Sequence, residues 1–344
     1  MFRSYNIFKK IKENNEITSF YLQPTDGNGI EKYKPGQYLP IKVDIPGKNK
    51  VFYRTYTLSD RPGKDYYRLT IKKEKDGLVS SYMHESVSEG DVILADSPRG
   101  DFYLSKNEKN RHIVLLSGGV GMTPMLSILN HLIHHDTDRD IWFIHGSRHK
   151  DGQIQLEKLR RLDESRPNIH IHIHHSNPLE DEKEGYHYDR IGHITPEFLK
   201  SFLPINEALF FLCGPPPFMK SLYEGLINWG VTQEHIKYEF FGEGKKLGSK
   251  LTISENSSSD TPTVYFNKSN NKMKWDDSFD SILELAESKG LSPPFDCRMG
   301  TCTTCESQLI SGEVTYEPEP FVEVDEERVL ICCSKPKTDV EIDR

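Results

Sequence analysis

The chain has 344 residues, 35% of them hydrophobic and 28% charged, with a formal net charge of −8. That length exceeds one ordinary core and implies two or three domains. No run of 18 apolar residues occurs, so no membrane-spanning helix is expected, and Met1 to Tyr5 lack the apolar stretch of a secretory signal. The charge sits in one place: residues 1–262 carry 35 Lys+Arg and 35 Asp+Glu, whereas 263–344 carry 9 and 17. A neutral body with an acidic end argues against nucleic acid and anionic membrane as partners.

In chain order, residues 1–106 read as β-rich. Short runs such as Tyr66 to Ile71 are broken at Pro35-Gly36, Pro46-Gly47 and Pro62-Gly63, the pattern of a small barrel or sandwich. Residues 107–244 change texture. Apolar runs at Ile113–Leu116, Ile141–Ile144 and Leu209–Leu212 alternate with helical spacing at Met125–His135, Leu156–Leu162 and Pro217–Trp229, which predicts an α/β domain with a parallel sheet. Within it, His170, His172 and His174 alternate with isoleucines; period two predicts a strand, with its histidines expected to face solvent rather than a metal. Residues 245–262 are polar and Ser-rich and read as a linker. Residues 263–344 form a last compact unit.

Five of the six cysteines fall in that unit. A chain this large needs no disulfide staples, so the cluster points to a metal site in a reducing compartment, and hence to the cytoplasm. Cys297, Cys302 and Cys305 follow a C-x4-C-x2-C spacing, with Cys332 and Cys333 further on. This is the plant-type [2Fe-2S] ligand pattern. Structural zinc prefers two C-x2-C knuckles, and only one is present; zinc or a redox dithiol is the alternative. Cys332 and Cys333 compete as fourth ligand.

Two further motifs carry chemistry. Arg54-Thr55-Tyr56-Thr57 places a phosphate clamp, an aromatic platform and a hydroxyl on one strand; ordinary barrel-wall residues are the plain alternative. Gly118-Gly119-Val120-Gly121-Met122-Thr123-Pro124 lies between a strand and a helix. Glycines there admit a pyrophosphate to the backbone, and the helix start supplies N–H donors. Cys213-Gly214-Pro215 ends an apolar run, where a merely buried cysteine is the plain reading. Ser147 and Arg148 suit a 2′-phosphate, yet no acid marks a ribose, so NADH and NADPH stay undivided.

These motifs, with Tyr33 to Tyr38, Gly77 to Ser81 and Ser97 to Phe102, resemble the ferredoxin-NADP reductase superfamily over nearly all of residues 1–243. The likeness is nearest to the reductase half of flavohaemoglobins. It implies a six-stranded antiparallel flavin barrel over 1–106 and an NAD(P)-binding domain over 107–244. It implies that Arg54 holds the flavin pyrophosphate, Tyr56 packs on the flavin and Thr57 reaches its N5 edge, with Tyr38, Thr55, Val79 and Ser80 completing the site. Gly118, Gly119, Gly121, Thr123 and Pro124 become the nicotinamide-nucleotide loop, with Gly214 and Pro215 beside it. Cys213 lies by the nicotinamide, and Phe241 covers the flavin. Ser97 to Phe102 resembles the FAD branch more than the FMN-using phthalate-dioxygenase-type reductases. Residues 263–344 resemble plant-type ferredoxins of β-grasp fold, in which the last ligand lies four residues before a Pro; Pro336 then selects Cys332. Thr303 stands where that family usually has Gly.

The implied activity is NAD(P)H-dependent electron transfer: hydride to FAD, then single electrons through [2Fe-2S] to a protein acceptor with a basic docking patch. That acceptor is an oxygenase or hydroxylase component or, alternatively, a hybrid-cluster protein. A zinc-holding binding or sensing protein and a flavin-only reductase with a vestigial cluster are the rivals.

Overall fold

The computed structural model describes residues 2–48, 51–75, 77–105, 111–135, 138–239, 261–291, 293–295, 300, 303–317, 320 and 324–344. The chain forms two compact units, Met1–Leu247 and Gly248–Arg344. Apart from Thr261 and Pro262, the expected linker over 245–262 lies outside the described residues.

The first unit begins with six strands: β1 Arg3–Lys12, β2 Ile17–Pro24, β3 Tyr38–Asp44, β4 Val51–Thr57, β5 Tyr67–Lys72 and β6 Val92–Ala95. They pair in the order β4-β3-β6-β1-β2-β5, and every pairing is antiparallel. An antiparallel bridge between Leu58 and Leu69 joins the two edges. Alternating side chains (Tyr5, Ile7, Phe20, Leu22, Leu39, Ile41, Leu69) fill the interior. Helix α1 (Leu78–Glu85) packs Val79 and Met83 onto it.

The α/β part holds β7 His112–Gly118, α2 Met122–His135, β8 Ile141–Ser147, α3 Leu156–Ser165, β9 Ile169–His175, β10 Arg190–Ile191, α4 Pro196–Phe202, β11 Ala208–Cys213, α5 Pro216–Asn228 and β12 Ile236–Glu239. Its sheet is parallel, in the order β10-β9-β8-β7-β11-β12. The central strands β7, β8 and β11 carry near-continuous apolar runs because both faces are covered. Ile113, Leu115, Phe143 and Phe211 meet α2 and α3 on one side. Val114, Leu116, Ile144, Phe210 and Leu212 meet α4 and α5 on the other. Phe102 and Leu104, from the end of the barrel segment, join the first of these clusters. Ser127 Oγ donates to Asp60 O at 2.8 Å, and Asn14 Nδ2 donates to Gln153 O at 2.9 Å. Barrel and α/β sheet therefore pack against each other, each around its own apolar core.

The histidine strand departs from expectation. His172 stacks on Phe198 at 4.8 Å between ring centroids, and His174 meets the same ring edge-on at 4.5 Å. His174 is fully buried. His172 and His174 face α4 rather than solvent, because imidazole kept neutral packs as an aromatic; His170 stays partly exposed, stacked on Trp142. No group of three metal-ligating side chains assembles among the described residues.

The second unit holds β13 Thr263–Phe266, β14 Asn271–Lys274, α6 Ile282–Ser288, β15 Glu306–Ser311, β16 Val314–Tyr316, β17 Arg328–Leu330, β18 Ser334–Pro336 and β19 Val340–Asp343. Its main sheet runs β14-β13-β19-β15-β17, with β13 and β19 parallel. Helix α6 starts at Ser281, whose hydroxyl accepts from Glu284 N at 3.2 Å. That cap offsets one orphan donor of the first turn. Leu283, Leu285 and Ala286 join the core beneath the helix.

Candidate active site

The barrel residues converge around the paired ends of β3 and β4. Tyr38 lies opposite Thr57, Leu39 opposite Tyr56, Pro40 opposite Thr55 and Ile41 opposite Arg54. The period of two puts Arg54 and Tyr56 on one side of β4, and Thr55 and Thr57 on the other. Arg54 Nη1 donates to Tyr53 O at 2.8 Å. Thr57 is buried, and its Oγ1 has no partner. An orphaned buried hydroxyl costs about 1–3 kcal/mol, so a ligand atom that satisfies it fits this place, as a flavin edge would. Burial pushes the Tyr38 phenol up to about 12. Ser80 is buried at the start of α1; its Oγ donates to Gly77 O at 3.1 Å and accepts from Glu74 N at 3.2 Å.

The nucleotide loop sits where the strand order reverses. β7 has β8 on one flank and β11 on the other, and such a switch point opens a crevice at the carboxyl ends of the strands. β7 ends at Gly118, Gly119 to Gly121 follow as a single turn, and Thr123 and Pro124 are buried in the first turn of α2. Thr123 Oγ1 donates to Val120 O at 3.1 Å. The second loop, Gly214-Pro215, follows β11. A Cβ on Gly121 would lie 2.2 Å from Cys213 O, so only glycine allows the loops to touch. A Cβ on Gly118 would likewise lie 2.9 Å from Pro215 Cδ.

Sequence reasoning missed Glu239. It ends β12, adjacent to Cys213 in register. Its Oε2 is sealed from solvent and unpartnered, and burial pushes the carboxyl up to about 8. Burial also pushes the Cys213 thiol up, with Glu239 adding to the effect. A Cβ on Gly100 would lie 2.8 Å from the Tyr38 ring and 3.8 Å from Glu239 Oε1, so Tyr38 and Glu239 flank one gap between barrel and sheet. An open cleft of about 350 Å³ is lined by Asp101, Phe102, Lys237, Tyr238 and Glu239. Nothing in the four residues Ile236–Glu239 marked Glu239 in the sequence, since its burial comes from neighbours distant in the chain. Phe241 lies outside the described residues.

In the second unit, Cys305 precedes β15 and Cys332 follows β17; both are buried in its core. Cys297 and Cys302 lie outside the described residues. Cys333 Sγ donates to Leu330 O at 3.6 Å and sits 2.8 Å from where a Cβ on Gly300 would be. Gly300 and Thr303 both have positive φ, +66° and +58°. Buried soft thiols beside a left-handed turn fit an iron–sulfur cluster.

Three family models match in order: oxidoreductase FAD-binding domain over 5–103, oxidoreductase NAD-binding domain over 115–224, and 2Fe-2S iron-sulfur cluster binding domain over 265–337. The flavohemoprotein of Bacillus cereus is 42% identical over 251 residues, 72% of this chain; the chain spans 62% of that protein's length. The flavohem-like FAD/NAD-binding domain of nitric oxide dioxygenase from Vibrio cholerae O1 biovar El Tor is 30% identical, with a TM-score of 0.63 over 70% of this chain and 98% of that one. Phthalate dioxygenase reductase shares the fold along 100% of this chain and 98% of its own, at 24% identity and a TM-score of 0.59. The chain therefore belongs to the ferredoxin-NADP reductase superfamily, as an NAD(P)H oxidoreductase whose flavohaemoglobin-type FAD- and NAD-binding domains are followed by a [2Fe-2S] domain.

Proposed function

We propose that the protein is the reductase component of a multicomponent oxygenase, delivering electrons from NAD(P)H to a separate protein acceptor. The observation that carries this reading is the succession of FAD-, NAD- and 2Fe-2S-binding domains in one chain, the arrangement its fold shares with phthalate dioxygenase reductase. Bound flavin supplies the chemistry that joins a two-electron hydride donor to a one-electron acceptor.

The chain's own residues bind and orient. Arg54 clamps the flavin pyrophosphate, and the first turn of α1, at Val79 and Ser80, faces the same phosphates. Tyr38 and Tyr56 pack on the ring system, Thr55 lines the strand, and the orphaned Thr57 hydroxyl satisfies the N5 edge. Gly118, Gly119 and Gly121 bring backbone N–H groups to the nucleotide pyrophosphate, and the start of α2 adds its positive dipole end. Thr123 and Pro124 fix that turn; Gly214 and Pro215 wall it. The neutral Cys213 thiol and the protonated Glu239 carboxyl close the crevice around the nicotinamide without adding charge. Cys297, Cys302, Cys305 and Cys332 hold the cluster.

The acceptor docks at the acidic unit. Asp325, Glu326 and Glu327 are exposed, five to seven residues before Cys332. A basic patch on the oxygenase component complements them. Capture of the holoprotein's partner from its source cells, followed by NAD(P)H-dependent reduction of that purified partner, tests the reading. An oxygenase component supports it; a hybrid-cluster protein in its place replaces it.

A further inference from the structure

We infer that Ser127, in the second turn of α2, is the positioning residue that fixes how closely the nicotinamide approaches the flavin. The inference rests on the reading of Gly118–Gly121 and of the paired β3 and β4 ends as the nucleotide and flavin sites. It goes beyond that reading to what holds the two sites together.

Ser127 is fully buried in the body of a helix. A plain packing position there favours Ala, by helix propensity and because a buried hydroxyl is costly unless hydrogen-bonded. A helical serine can bond the carbonyl four residues back. Ser127 instead reaches across to the barrel. Its Oγ donates to Asp60 O at 2.8 Å and accepts from Gly36 N at 3.3 Å.

Both partners border the flavin site. Gly36 lies two residues before Tyr38 and Asp60 three residues after Thr57, and Tyr38 is paired with Thr57 in register. The two barrel segments are themselves held. A Cβ on Gly36 would collide with Phe102 O. Asp60 O also accepts from the Tyr33 hydroxyl at 3.0 Å, and Leu58 N donates to Gln37 O at 2.9 Å.

The other end of the tie belongs to the nucleotide site. Thr123 sits four residues before Ser127, on the same face of α2, and its Oγ1 closes the loop onto Val120 O. One helical turn, about 5.4 Å, moves as a rod, so a shift at Ser127 passes to the loop. Other contacts join barrel and sheet differently. Asn14 Nδ2 meets Gln153 O between loops that carry none of the site residues, and Lys237 reaches Tyr103 O at 3.3 Å through a long, flexible arm. Of these, Ser127 is the tie that joins a flavin-site segment to the helix carrying the nucleotide loop.

The test uses the FAD-loaded protein, Ser127→Ala, and Thr195→Ala as a control for lost stability. Thr195 Oγ1 caps α4, accepting from Phe198 N at 3.2 Å, and α4 packs on the opposite face of the sheet from α2. Stopped-flow reduction of the flavin uses whichever of NADH and NADPH reduces the wild type faster. Ser127→Ala is expected to lower the limiting rate about 10- to 100-fold, with the half-saturating nucleotide concentration moving less than about twofold, since misplacement costs rate rather than binding. Hydrogen exchange of the segment around Gly36 is expected to quicken in Ser127→Ala, because the Gly36 N–H loses its acceptor. Thr195→Ala is expected to lower the thermal midpoint and leave both readouts unchanged. An unchanged limiting rate in Ser127→Ala, slowing that comes wholly as weaker nucleotide binding, equal slowing in Thr195→Ala, or unaltered exchange at Gly36 overturns the inference. A wild type whose flavin neither nucleotide reduces would instead overturn the assignment of the two sites.

Discussion

A single carboxyl shows how far tertiary context can move a residue from its usual chemistry. Glu239 ends a strand, and its Oε2 is sealed and unpartnered. In the unfolded chain it ionises near the ordinary value of 4.5; in the fold it is pushed up to about 8. The native state therefore binds the extra proton, so the contribution is full below pH 4.5 and is lost as pH rises toward 8. Glu239→Gln keeps the shape and removes the titration. Urea midpoints of the variant are expected to vary less than wild type between pH 5 and 8; an unchanged slope would mean the carboxyl is not titrating there. Arg54→Ala tests the flavin clamp. Loss of one charge-assisted contact weakens FAD by about 10- to 150-fold, read by titration of apoprotein, and unchanged affinity would reject the assignment. Thr303 makes a third case. It holds φ +58°, where a β-branched residue is strained by roughly 1–2 kcal/mol. Thr303→Gly is expected to raise the thermal midpoint of the second unit, and a fall would show that the hydroxyl earns its place.

Elements were legible where their pattern reports burial directly. The runs at β7, β8 and β11 read as strands because both faces of a parallel sheet are covered. The glycine loop was legible because strand and helix flank it. What the sequence concealed depends on neighbours distant in the chain. His172 and His174 look polar in a strand, yet Phe198 and Phe202 of α4 cover His172, and Phe198 also meets His174. Glu239 gave no signal for the same reason: its burial comes from residues distant in the chain, Tyr38 and Gly100 among them. The buried histidines give a pH dependence of opposite sign to Glu239. Desolvation holds His174 down to about 4 and His145 to about 3. Unfolded histidines take up protons near 6.5, so this stability is present above pH 6.5 and lost as pH falls through 4. Replacing His174 with Leu is expected to flatten the acid limb of a urea-denaturation series; an unaltered limb would contradict the neutral, packed imidazole.

At the scale of the molecule, two compact units divide the chemistry. Cys305→Ser removes a cluster ligand from the second unit only, so FAD content and NAD(P)H-dependent ferricyanide reduction are expected to survive while acceptor reduction fails. Loss of FAD as well would show that the units depend on each other. The charge is divided too, since 263–344 carry the whole −8. Electrostatic steering decays over about 10 Å at 0.1 M salt. Acceptor reduction is expected to slow as salt rises past that point, while NAD(P)H reduction of the flavin changes little. Neutralising Asp325, Glu326 and Glu327 should flatten the salt dependence; an acceptor step indifferent to salt would leave the acid a solubility role.

Electrons from a nicotinamide nucleotide are expected to reach iron in the last unit by way of the flavin. Anaerobic addition of NAD(P)H to the purified holoprotein, followed by visible absorption and by electron paramagnetic resonance of the frozen sample, tests this route most directly. The expected result is bleaching of the flavin bands together with a reduced [2Fe-2S] signal of roughly one spin per chain, lost in Cys305→Ser. Bleached flavin with no iron–sulfur signal, or zinc in place of iron in the same sample, would contradict it.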